Sequence, residues 1–225
     1  MTVRKWMHAL SGFVLIAVAG CNDTTGPQDA AELRAVHMSP DALALTVLLE
    51  GEVLESGLTY RQGTAYASVA TPVQVNVHDA TGSSLLSARL SLDAGRPHTL
   101  LVLNRLATIQ GLLLVDDPTS AGNNARARIV HAAPSLGSVD IYITAPDAEL
   151  AGATPALTGV TFRGASNYLV MAAGMHRLRA TATGTTTVLL DANPLAAPAG
   201  SVRTLVLGEA PGGGAPFSVV LVEDG

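Results

Sequence analysis

The sequence predicts an all-β protein: two tandem immunoglobulin-like β-sandwich domains behind an N-terminal export signal. Three observations carry that expectation. The heptapeptide R-A-V-H-M-S-P at 34–40 returns as R-I-V-H-A-A-P at 128–134. Short runs of alternating apolar and polar residues, broken by Gly and Pro, recur throughout, which is the period of half-buried strands. No long segment beyond the first 20 residues keeps a helical period.

The repeat extends well past the heptapeptide. L-T-Y-R-Q-G-T-A-Y-A-S-V (58–69) matches V-T-F-R-G-A-S-N-Y-L-V-M (160–171), pairing Tyr60 with Phe162, Arg61 with Arg163 and Tyr66 with Tyr168. D-A-G-R-P-H-T-L-L-V-L (93–103) matches P-A-G-S-V-R-T-L-V-L-G (198–208), and L-L-L-V-D-D (112–117) matches V-V-L-V-E-D (219–224). The offset grows from 94 to 107, so the second copy carries small insertions, the largest around 148–155. A fixed internal period is the signature of a repeated structural unit. The domain expectation is therefore a signal at 1–20, a tether at 21–31, sandwich repeat 1 at 32–117, a linker at 118–125 and sandwich repeat 2 at 126–225.

Individual strands follow from alternation. Val73, Val75 and Val77 alternate with Gln74, Asn76 and His78, and Leu86, Ala88, Leu90 and Leu92 with Ser87, Arg89 and Ser91. In the second copy His176, Leu178 and Ala180 alternate with Arg177, Arg179 and Thr181. Aligning the turn glycines Gly82 and Gly184 would set Leu178 against Asn76, on the wrong face; a one-residue slip flips every side chain. A single-residue insertion or bulge is therefore expected between them. Further strands are expected at 33–38, 43–49, 64–69, 98–104 and 111–116, with counterparts at 126–132, 139–144, 167–171, 202–208 and 217–222. About seven short strands per ~100 residues suit a sandwich. A membrane barrel would want aromatic girdles, and only six aromatics follow residue 20.

The first 20 residues read as an export signal: Arg4 and Lys5, an apolar run at 9–18, then V-A-G-C at 18–21. The string resembles the lipobox of bacterial lipoproteins, which implies that Cys21 is lipidated and becomes the new N-terminus. Two or more acyl chains make a stable membrane anchor. Asn22 is not the aspartate of an inner-membrane retention signal, so the expectation is an exported lipoprotein anchored in the outer membrane, on its periplasmic side or at the cell surface. Cleavage would leave 11 basic against 18 acidic residues, a formal charge of −7, and no lysine. Such a chain lacks the basic stripe of a nucleic-acid binder and cannot use a Schiff-base or phosphate-loop lysine.

R-I-V-H-A-A-P, then V-D-I-Y (139–142), V-T-F-R…N-Y-L (160–169), A-A-G (172–174) and A-G-x-x-x-T-L-V-L (199–207) resemble a bacterial domain-of-unknown-function family, number four-three-nine-seven. The first copy departs from it where Thr46 and Leu48 replace Asp140 and Tyr142. The resemblance implies a β-sandwich in the cell envelope, often in tandem, and transfers no catalytic residue.

Candidate chemistry is thin. His37 and His131 recur without the convergent ligands a metal needs; they are expected to cap a strand end through a neighbouring carbonyl. Asp116-Asp117 and Glu223-Asp224 lack the spaced D-x-D-x-D-G pattern of a calcium loop and read as solvated strand ends. The glycines at 212–214 read as a flexible turn. There is no G-x-S-x-G, and no Ser/His/Asp set has informative spacing. Arg61, Tyr66, Arg163 and Tyr168 are the repeated polar set that would serve as a ligand-binding site, an arginine stacked on a tyrosine suiting an anion or sugar. The favoured reading is structural, with the tyrosines as sandwich corners and the arginines on loop carbonyls; the four are the candidates if the domain has a site. The expected function is a non-catalytic, lipid-anchored envelope protein, with no cofactor and no metal, that binds a protein or polysaccharide partner, adheres or acts as a spacer. The alternative is a carbohydrate- or small-ligand-binding accessory module.

Overall fold

The computed structural model describes residues 30–224; the expected signal, Cys21 and most of the tether lie outside them. The chain is all-β. In its first half β1 (Ala30–Met38), β2 (Leu45–Leu49), β3 (Glu52–Leu58), β4 (Ala67–Ala70), β5 (Val73–His78), β6 (Ser84–Leu90), β7 (Pro97–Leu103) and β8 (Gln110–Val115) follow in order. The second half has β9 (Asn124–His131), β10 (Val139–Thr144), β11 (Leu157–Val160), β12 (Leu169–Ala172), β13 (Gly174–Ala182), β14 (Val188–Asp191), β15 (Leu195–Ala197), β16 (Val202–Gly208) and β17 (Ser218–Glu223). Among the described residues no helix is long and apolar enough to cross a membrane.

Each half is a pair of sheets with one shared strand order: β4-β1-β7-β8 over β3-β2-β5-β6, and β12-β9-β16-β17 over β11-β10-β13-β14 with β15 added to β13. The first strand of each half runs parallel to a late one, β1 with β7 and β9 with β16, in registers that set Arg34 beside Thr99 and Arg128 beside Thr204. This order differs from the ABED and CFG sheets of an immunoglobulin domain. Here two sequence-adjacent hairpins, β2-β3 and β5-β6, make the whole outer sheet of the first half.

Strand alternation sorts the side chains of β1 onto two buried faces. Leu33 and Ala35 join Leu100, Val102, Val47 and Val75 in the core of the first half. Val36 and Met38 point the other way and join Leu101, Leu103, Val130, Ala132 and Val206 in a cluster made by both halves. Ile129, Ile141, Leu178, Leu205 and Leu207 form the core of the second half. The inner sheets of the halves thus pack face to face, giving four layers of sheet. Met38, Leu101, Leu103, Val130 and Val206 are completely buried there, each worth about 1.5–3 kcal/mol.

The glycine offset has a physical location. Val77 pairs with Val47, and Ala180 with Ile141, so Val77 and Ala180 are equivalent. Gly82 follows Val77 by five residues and Gly184 follows Ala180 by four. The one-residue difference therefore lies in the turn, where both hairpins also shift register. Strands β3, β11, β14 and β15 were not expected. The peptide E-V-L-E-S-G-L of β3 is polar and mostly exposed at a sheet edge, so it shows no alternation. The connection between the halves is shorter than the expected linker, since Asn124 and Ala125 already belong to β9.

Candidate functional site

The polar residues that recur in the two halves meet where the inner sheets face each other. Arg34 donates through Nε to Thr99 Oγ1 at 2.8 Å and, through its terminal nitrogens, to the Glu223 carbonyl and the Asp224 carboxylate. Arg128 repeats the arrangement from the other half. Its Nε donates to Thr204 Oγ1 at 3.1 Å, one Nη to the Val115 carbonyl at 2.9 Å and the other to Asp116 at 2.5 Å. Each arginine therefore takes the aspartate of the opposite half. Thr99 donates to Asp116 at 2.6 Å and Thr204 to Asp224 at 2.6 Å. Arg34 also lies 3.9 Å from Asp116, and Arg128 3.9 Å from Asp224. Two positive and two negative charges close into a neutral, buried square, the arrangement that makes charges tolerable in an interior.

The aspartates are not solvated strand ends. Asp116 is completely buried and Asp224 is 3% exposed, because the second sheet pair covers them. Asp117 and Glu223, one residue away, turn outward to Arg126 (2.6 Å) and Arg203 (2.8 Å). Burial, with the neighbouring Asp116 charge, raises the Asp224 carboxyl above its ordinary value against the pull of Thr204 and Arg128.

Tyr66 and Tyr168 belong to this square. Tyr66 donates to Asp116 at 2.7 Å and Tyr168 to Asp224 at 2.9 Å. The guanidinium of Arg34 lies 4.5 Å from the Tyr66 ring centre, and those of Arg126 and Arg128 at 4.8 and 4.9 Å from that of Tyr168. Desolvation, then the adjacent carboxylate charge, pushes the Tyr168 phenol up to about 12; desolvation raises that of Tyr66 further still.

The other two candidates stand apart. Arg61 stacks on Tyr60 (5.2 Å), not on Tyr66, and donates to the Glu209 carbonyl at 2.6 Å. Arg163 is exposed and reaches the Gly111 carbonyl at 3.4 Å. Both arginines hold left-handed backbones, φ 71° and 67°, because each occupies the third position of a turn clamped to the histidine strand. Arg61 N donates to the His37 carbonyl at 2.7 Å and Arg163 N to that of His131 at 2.8 Å.

The histidines are capped as the sequence suggests. Nε2 of His37 faces the Leu43 carbonyl at 3.0 Å and Nε2 of His131 the Gly137 carbonyl at 2.7 Å. Their Nδ1 atoms accept from Ser39 N and Ala133 N, which fixes the neutral Nε2–H tautomer. Burial lowers both pKa values, with those carbonyl bonds opposing it. Asp140 accepts from Gly159 N at 2.8 Å and Gly184 N at 2.9 Å, tying two turns together. Among the described residues, no group of three His, Cys, Asp or Glu is placed to hold a metal ion.

The glycine run is not a free turn. Gly212 N donates to the Pro40 carbonyl of the first half at 2.7 Å, and Gly214 N to the buried Glu209 carboxylate at 2.9 Å. Arg105 of the first half lies across the loop, bonded to the Gly212 carbonyl at 2.9 Å and paired with Glu209 at 2.8 Å. Desolvation raises the Glu209 pKa, but bonds from Ser135 and Gly214 and the Arg105 charge outweigh it and leave the group below its usual range. Sequence reading missed Arg34, Thr99, Arg128 and Thr204. Their signal was present, since both arginines recur inside the quoted heptapeptides and both threonines inside the 93–103 and 198–208 match.

A family model for a domain of unknown function, DUF4397, matches residues 31–142. The match takes in the whole first half and runs on through β9 to Tyr142 of β10, although the quoted resemblance is closer in the second half. Among solved structures, a leucine-rich repeat protein from Bacteroides thetaiotaomicron is 11% identical with a TM-score of 0.22. That similarity covers 81% of this chain, which spans only 26% of the other. No curated protein matches the chain.

Proposed function

This chain belongs to the DUF4397 family through residues 31–142, and from that premise we propose a non-catalytic, lipid-anchored cell-envelope protein that works by contact, as a binding, adhesion or spacer module. The observation that carries the reading is the crossed arginine–aspartate square. The repeated polar residues Arg34, Tyr66, Thr99, Asp116 and their counterparts spend their hydrogen bonds on one another. They join two sandwiches into one stiff body, the mechanical property a spacer or adhesin needs. Cys21 in V-A-G-C supplies the anchor, and eight residues separate it from β1, a short polar tether.

The tests are cell-based. Cys21→Ser should move the protein from the membrane to the soluble fraction; unchanged membrane retention contradicts the anchor. Proteinase K applied to intact cells, with lysed cells as control, distinguishes a surface module, digested at once, from a periplasmic one that resists until lysis.

The second reading, a carbohydrate- or small-ligand-binding accessory module, is favoured by one feature: a pocket at the seam of the halves that includes Arg61. A glycan array probed with the purified protein tests it, and an array without signal removes it.

A further inference from the structure

We propose that the seam pocket beside Arg61 binds a small carboxylate-bearing sugar, of which a hexuronic acid is the simplest form. The inference rests on the ligand-binding reading above and is independent of the lipid anchor.

Its floor and walls come from both halves: Arg61 from the first, Asp191, Asn193, Pro216, Phe217 and Ser218 from the second. The charge balance favours an anion. Asp191 is held by Arg177 in a two-pronged pair at 2.7 and 2.6 Å, which holds its carboxyl below the usual range and cancels its charge. Glu209, the other nearby acid, is fully buried and closed by Arg105. Among the described residues Arg61 makes no ion pair, so its guanidinium is the uncompensated charge of the pocket.

That guanidinium is also fixed in advance. Its backbone is bonded to His37, its Nη2 to the Glu209 carbonyl, and its plane lies over Tyr60. A preset planar fork matches a carboxylate and loses little freedom on binding. Two polar atoms of the same walls, Arg61 Nε and Ser218 Oγ, are buried without a hydrogen-bond partner. Interiors rarely leave such atoms unmet without a reason, and a small shift of the wall onto a ligand would satisfy them. The exposed Asn193 amide offers both donor and acceptor to ring hydroxyls, while Pro216 and Phe217 supply an apolar surface for a sugar-ring face. A few placed polar groups on an apolar wall are the usual make-up of a small-ligand site.

Arg163 at the other seam is placed differently: it is exposed, follows Phe162 where Arg61 follows Tyr60, and reaches only the Gly111 carbonyl at 3.4 Å. It therefore serves as an internal control.

The test is titration calorimetry of the full chain in detergent with galacturonate and its trimer, and with galactose as the neutral match. Galacturonate should bind, galactose should bind at least tenfold more weakly, and a tighter trimer would identify a polymer-borne residue over the free acid as the source. Arg61→Gln should weaken binding at least tenfold and Arg163→Gln should leave it unchanged. Asn193→Asp changes an exposed side chain, so it keeps the fold, and should abolish binding by repulsion. No galacturonate binding, equal binding of galactose, or binding that survives Asn193→Asp would overturn the proposal. Failure of Cys21→Ser to release the protein would overturn the anchored-module reading and leave this result standing.

Discussion

Arg34 in the first strand pairs with Asp224 across 190 positions of sequence, while Arg128, in the second half, pairs with Asp116 in the first. The exchange is reciprocal, so neither half completes its own polar face. A sandwich that stood alone would keep only the 3.9 Å approaches of Arg34 to Asp116 and of Arg128 to Asp224 and would lose both direct pairs.

Asp224→Ala leaves Arg34 buried opposite a carbonyl and Thr99, and it also strips Thr204 and Tyr168 of their acceptor. Removing one member of a buried pair costs about 3–5 kcal/mol. The double variant Arg34→Met/Asp224→Leu should recover most of that loss, because well-packed apolar side chains replace both charges. Urea unfolding of the native chain and the two variants measures this, and a loss for Asp224→Ala below about 1 kcal/mol contradicts it.

Tyr66→Phe and Tyr168→Phe each remove a bond to a carboxylate, at 2.7 and 2.9 Å. Bonds to charged groups are worth about 1.5–3 kcal/mol, so both variants should melt lower, with no loss of the other half's signal alone. Differential scanning calorimetry checks the shift.

Gly213 has φ +99°, and a Cβ there would lie 1.4 Å from an Arg105 nitrogen. Gly213→Ala should therefore drive Arg105 off Glu209, costing about 1 kcal/mol in backbone strain besides the lost pair. Arg105→Ala alone should destabilise too, and the two changes should not add, since they remove one contact. Additive losses in chemical denaturation would contradict the shared contact.

His37 and His131 have folded pKa values below their unfolded value near 6.5. The unfolded chain then binds more protons, so stability present at about pH 7.5 declines as the pH falls through about 6.5 toward the lower folded values. Imidazole resonances of the two residues, followed by NMR as the pH is lowered, should titrate at lower pH than a free imidazole while the melting temperature drops. Titration near 6.5 in the folded state would contradict the capping geometry.

Much of this fold was legible because it is written in alternation. Val73, Val75 and Val77 are fully or almost fully buried, as their spacing required, and the repeated heptapeptide marked equivalent strands. The inner faces were harder to read. Arg34, Thr99, Arg128 and Thr204 occupy the positions where a one-sided sheet would meet water, so their polarity gave no sign of burial. Their neighbours Val36, Met38, Leu101 and Leu103 on the same face carried the opposite message. A strand apolar on both faces belongs in the middle of a stack, and R-A-V-H-M and T-L-L-V-L are such strands. The aspartates were misread for the same reason, since no local pattern reveals that another sheet will cover them. Of the candidate ligand residues, the repeat singled out Tyr66 and Tyr168, but what their hydroxyls bond is set by carboxylates 50 and 56 positions away.

The central claim is that the crossed exchange makes two sandwiches one cooperative body. Hydrogen exchange followed by mass spectrometry on the native chain and on Asp224→Ala tests it most directly. The account predicts that this change, made in the second half, raises amide exchange in β1 and β7 of the first half as much as in β16. Exchange confined to the second half, with β1 and β7 as protected as before, would contradict it.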